Sequence, residues 1–122
     1  MYKFLKHTAD VMFEVEASSL NKLFEDAGKA VMETMVDLKS VKQKVKKTMV
    51  LKEDKVDGLL YEFLSELIFL KDSEYMLFSK FDVKIKENLL YELKAEITGE
   101  NINVKKHKLG VDVKAVTMHM FT

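Results

Sequence analysis

Phe81-Asp82-Val83-Lys84-Ile85-Lys86-Glu87-Asn88 and Tyr91-Glu92-Leu93-Lys94-Ala95-Glu96-Ile97 decide the fold. In both runs apolar side chains alternate with charged ones. That period of two marks a strand with one buried face. The Glu87-Asn88 junction suits a tight hairpin between them. Their charged faces then share one side of a sheet, and opposite charges are expected to pair across the strands, each pair contributing a few tenths of a kcal/mol.

Upstream, the period changes. Leu59, Leu60, Phe63, Leu64, Leu67, Ile68 and Leu70 form a broad apolar helix face. Its start is expected near Asp54–Asp57, where acids suit a helix N-terminus, and its end around Lys71-Asp72-Ser73. The width of the face predicts a helix more buried than the other one. That other helix follows the Ser18-Ser19 cap and runs to about Val36. It shows one stripe, Leu20, Leu23, Phe24, Ala27, Val31 and Met35. Gly28 lowers helix propensity there and predicts a close crossing. Met32 and Met35 read as core filling.

Between the helices stand Lys39, Lys42, Lys44, Lys46 and Lys47, then the short apolar strand Thr48-Met49-Val50-Leu51. The lysines read as a solvated or edge-protecting run; the other reading is a basic patch for RNA or an acidic partner. Residues 12–17 alternate as a first strand behind an apolar start, Tyr2, Phe4 and Leu5. Downstream, Gly99-Glu100-Asn101 breaks the strand pattern. Residues 100–110 read as a polar loop, and residues 111–121 as a strand apolar on both faces, hence central. The order strand, helix, strand, helix, strand, strand, strand predicts an α+β two-layer domain: an antiparallel or mixed sheet with two helices on one face.

The 122 residues suit one domain. Without cysteine there is no disulfide scaffold, no Cys-ligated zinc and no thiol nucleophile. Twenty bases balance twenty acids, so no global field draws nucleic acid. Every base is lysine, and the bidentate arginine fork that reads guanine edges is missing. The start has no signal-peptide pattern and no apolar run reaches membrane-span length. The expectation is a cytoplasmic protein.

Few residues carry chemistry. The glycines are scattered, so no phosphate loop forms, and there is no His-Glu-x-x-His. The ionisable candidates in irregular segments are His7, Asp10, Glu100 and His107, with Lys114 nearby in sequence. Asp10 reads either as a turn cap or as a hard oxygen ligand for Mg²⁺, Mn²⁺ or Ca²⁺. His7 and His107 read either as loop histidines bonded to backbone or as site residues.

Three blocks together resemble the archease family: His7-Thr8-Ala9-Asp10-Val11; Leu59-Leu60-Tyr61-Glu62-Phe63-Leu64-Ser65-Glu66-Leu67; and Gly99-Glu100 through His107 to Val113-Lys114-Ala115-Val116-Thr117-Met118-His119. The resemblance implies a small α+β protein without turnover of its own. It would assist the GTP-dependent RNA-splicing ligase of tRNA splicing, promoting its guanylylation and multiple turnover through a metal-binding acidic tip. By position, Asp10 would be the metal ligand (Ca, Mg or Mn), and His7, Glu100, His107 and Lys114 the activation tip. An alternative role is chaperone or specificity modulator of a tRNA methyltransferase or another RNA-processing enzyme, with RNA contacted indirectly. Family members also continue past Val-Thr-x-His into one more strand with an acidic residue. Residues 1–122 are therefore expected to form one domain that lacks its final C-terminal strand.

Overall fold

The computed structural model describes residues 2–5, 12–15, 19–103 and 107, the first two segments as backbone. His7, Asp10, Lys114 and the strand expected at 111–121 lie outside the described residues.

The apolar start is a strand. β1 (Tyr2–Leu5) pairs antiparallel with β2 (Met12–Val15), Tyr2 opposite Val15. Four residues are too few for a legible alternation. α1 (Leu20–Met35) follows, with the Ser19 hydroxyl accepting from the Lys22 N–H at 3.1 Å. A 3₁₀ turn (Leu38–Ser40) leads to β3 (Val45–Glu53), then α2 (Val56–Glu74), β4 (Met76–Glu87) and β5 (Tyr91–Asn101). The second sheet has the order β3-β5-β4, antiparallel throughout. Both helices lie on one face, α1 over β4 and α2 over β3. The expected α+β two-layer architecture is what the structure has.

The core lies between these layers. Phe24, Ala27, Val31 and Met32 of α1 meet Leu59, Phe63, Leu64 and Leu67 of α2 and Phe81, Val83, Leu93 and Ile97 of the sheet. Phe24 and Phe63 touch as tilted rings, centroids 5.8 Å apart. Gly28 does permit a close approach: a Cβ there would lie 3.0 Å from the Phe81 ring. The expectation that α2 is the more buried helix fails. Each helix buries eight residues, but α1 is 16 long and α2 is 19. Phe69 of α2 is 58% exposed, while Asp26 of α1 is buried beside Lys22 at 3.4 Å. Burial pushes the Asp26 carboxyl up, but the hydrogen bonds it accepts and the Lys22 ammonium outweigh burial and hold it below its ordinary value.

α2 ends close to the expected Lys71-Asp72-Ser73. It runs to Glu74 and is ended by Tyr75, whose backbone is left-handed at φ 55° and ψ 43°. The Tyr75 N–H donates to the Leu70 carbonyl. Glycine is the residue that takes this conformation without a Cβ penalty. The Tyr75 side chain is mostly exposed. Tyr75→Gly should therefore stabilise the fold by about 1 kcal/mol in urea denaturation.

α1 also closes the outer edge of β4. Asn21 Oδ1 accepts from the Ile85 N–H and Glu25 Oε2 from the Val83 N–H, both at 2.9 Å. Four helical residues rise about 6 Å and two strand residues about 6.8 Å, so the two spacings match. Two side chains outside the apolar stripe of α1 thus satisfy strand donors.

Charge pairing on the outer sheet face differs from expectation. Register sets Asp82 opposite Glu96 and Lys84 opposite Lys94, like against like. The ion pairs run instead from β3 to β5, Lys46–Glu96 at 3.4 Å and Lys52–Glu92 at 3.7 Å.

Candidate buried carboxylate–histidine site

Gly99-Glu100-Asn101 does not break the strand. β5 continues through Asn101, so Glu100 is a strand residue and buried. Opposite this stretch β4 carries a bulge. Phe78 pairs with Gly99 and Lys80 with Thr98, which leaves Ser79 as the extra residue. The Ser79 hydroxyl donates to the Val41 carbonyl at 2.9 Å, and the Lys44 N–H donates to the Gly99 carbonyl at 2.9 Å. These two bonds lay residues 41–44 across the end of the sheet.

That segment brings a donor to Glu100. Oε2 accepts the Lys42 backbone N–H at 2.7 Å and lies 2.9 Å from His107 Nε2. Lys44 Nζ stands 3.8 Å from Oε1. His107 is itself fixed: Nδ1 accepts the Asn103 N–H at 2.9 Å, and the His107 N–H donates to the Asn103 carbonyl at 2.7 Å. A ring nitrogen facing an N–H must offer its lone pair, so the proton sits on Nε2 and is donated to Glu100. The imidazole is neutral in this arrangement, and the carboxylate is compensated by short hydrogen bonds and a lysine, as a buried charge requires. His107 is 2% exposed and Glu100 6%.

The structure thus joins two of the five expected site residues, Glu100 and His107. In this tautomer both His107 nitrogens are engaged, so the imidazole has no lone pair left for a metal. Among the described residues no group of three or more His, Cys, Asp or Glu converges as a metal centre. The described pair alone does not fit a divalent ion. It is suited to holding the segment after β5 against the segment before β3.

The lysine run is also largely engaged. Lys44 faces Glu100, Lys46 faces Glu96, and Lys47 meets Glu74 at 2.7 Å. Elsewhere, a groove of about 330 Å³ lies between β3 and α2, lined by residues including Met49, Leu70, Glu66 and Glu74. Its lining contains no histidine and no nucleophile–base pair.

Lys42 was missed as a partner of Glu100 because it acts through its backbone. Gly99, a glycine inside an alternating run, marks a different close backbone approach, that of Leu77 and Phe78.

Comparison with known proteins agrees with the motifs. The model of the Archease protein family matches residues 2–122. The archease of Sulfurisphaera tokodaii is 41% identical over 97% of this chain and 84% of its own length. That of Methanothermobacter thermautotrophicus is 39% identical over 98% of this chain and 85% of its own length. The solution structure of Methanobacterium thermoautotrophicum protein 1598 superposes with a TM-score of 0.83 at 36% identity, covering 98% of this chain and 85% of that one. The family model spans nearly the whole chain, and identity at this level extends the likeness from the fold to the sequence itself: this chain belongs to the archease family.

Proposed function

We propose that this protein is a cytoplasmic accessory factor, without a reaction of its own, that activates a GTP-dependent RNA-splicing ligase. It promotes the ligase's guanylylation and lets it turn over repeatedly. The observation that carries the proposal is the archease family match across residues 2–122. In this reading Asp10 holds a divalent ion (Ca, Mg or Mn) that the tip presents to nucleotide phosphates. His7 and Lys114 complete the tip. Glu100 and His107 position it, since both are buried and bonded to each other. The lysine run 39–47 and the methionines are the features that would serve the methyltransferase-chaperone reading, and three of those lysines already have carboxylate partners.

Reconstitution tests it. An RNA ligase is given an excess of RNA ending in a 2′,3′-cyclic phosphate, with and without this protein. Ligation should pass from a single turnover to many, and Asp10→Ala should abolish the gain while the protein stays folded. Equal ligation with and without the protein sinks the proposal. Full stimulation by Asp10→Ala removes the metal from it.

A further inference from the structure

The outer face of the sheet carries a charge arrangement that folding does not favour. Its rows across β3, β5 and β4 read Lys46–Thr98–Lys80, Thr48–Glu96–Asp82, Val50–Lys94–Lys84 and Lys52–Glu92–Lys86. The two β5 glutamates are engaged by the β3 lysines. Lys80, Lys84, Lys86 and Lys94 are left exposed, with Asp82 the one acid among them. Lys84 and Lys94 stand directly opposite each other. Like charges at that position destabilise a sheet, and a glutamate at either would have formed a cross-strand pair. The β3 lysines show that the sheet makes such pairs where it can.

We propose that this face, centred on Lys84 and Lys94, binds the phosphodiester backbone of a single nucleic-acid strand. Lys84 and Lys86 lie about 7 Å from each other along β4, and Lys94 of β5 stands about 4.8 Å across from Lys84. With Lys80 beyond Asp82, the result is a strip of four exposed lysines with one exposed acid among them. It holds no aromatic side chain and no arginine. Bases are therefore neither stacked nor read, and affinity comes from counterion release alone. Of the lysine run at 39–47, Lys46 shares this face, and it is paired with Glu96. The strip is separate from the Glu100–His107 pair, so the inference does not depend on ligase activation.

The test uses the protein alone with fluorescein-labelled RNA and DNA 12-mers of mixed and homopolymer sequence, read by anisotropy. All should bind alike. Four lysines give a salt slope no steeper than about −2.8, or about 50-fold weaker binding between roughly 50 and 200 mM salt. Lys84→Glu should weaken binding about tenfold at low salt, and Lys84→Arg should restore it. Lys39→Glu should leave it unchanged.

Stability supplies the second readout. Lys84→Glu replaces a repulsion by an ion pair with Lys94, so the melting temperature should rise by about 2 °C. A merely structural lysine would give a fall. The proposal is overturned if the 12-mers do not bind, if Lys84→Glu binds as before, or if its melting temperature drops. Equal binding of polyglutamate would also overturn it, moving the face to an acidic protein partner.

Discussion

Gly99→Ala should unfold the protein or lower its stability by more than about 4 kcal/mol in urea denaturation. A Cβ at Gly99 would overlap the Leu77 carbonyl oxygen and lie 2.7 Å from both Leu77 C and Phe78 Cα. All three are backbone atoms, so no side chain can swing aside. β5 is the middle strand, with Val45 on one side of Gly99 and Phe78 on the other. Moving its backbone away from β4 would disturb the β3 ladder and the Lys44 N–H bond to the Gly99 carbonyl. Gly28→Ala is the internal control. Its Cβ would press on the Phe81 ring at 3.0 Å, a side chain able to shift, and alanine favours the helix by about 1 kcal/mol. Its net effect should stay within about 1–2 kcal/mol. Comparable losses from the two substitutions would contradict the backbone clash.

Glu100→Ala should cost about 3 kcal/mol, and Glu100→Gln about 1 kcal/mol. Alanine removes the acceptor from the Lys42 N–H and from His107 Nε2–H together. His107 Nε2–H is then buried without its partner and the Lys42 N–H is left part-buried without one, and that penalty exceeds the worth of the bonds themselves. Glutamine keeps an oxygen where Oε2 stands and loses only the charge assistance. Imidazole ¹⁵N spectra follow the same site. His107 should show a protonated Nε2 and a bare Nδ1 in the parent and the Gln variant; in the Ala variant Nδ1 stays bare against the Asn103 N–H, while the Nε2 signal shifts as its acceptor is lost. Equal stability of the Ala and Gln variants would mean the acceptor is not what Glu100 supplies.

Much of the fold was legible because its elements are long and periodic. The α1 stripe and the Phe81–Ile97 hairpin each repeat a period several times, and tertiary packing follows those periods. β1 failed that test through length. Glu100 failed it for a different reason: a charged residue in sequence reads as solvent-facing, and burial becomes visible only with Lys42, 58 positions away, in place. Asn21 and Glu25 were placed outside the α1 stripe, yet they serve the β4 backbone. The two-layer fold could be read; the polar bonds that lock its edges depend on which segments meet. Of the expected site, the Glu100–His107 pair is joined, though with Glu100 in a strand rather than a loop.

The bulge at Ser79 also divides β4 into two reading phases. Ahead of it Met76, Leu77 and Phe78 are all buried, and beyond it Phe81 and Val83 face the core while Lys80, Asp82, Lys84 and Lys86 face out. Side chains alternate with a strict period of two, so one residue more or less inverts whichever half moves. Ser79 is thus a phase shifter: removing it would either exchange the faces on which Met76, Leu77 and Phe78 sit or turn a row of four charges inward. Substitutions along β4 act one side chain at a time, whereas a change of chain length at this point acts on a whole half-strand, and the family's freedom to gain or lose residues should stop there.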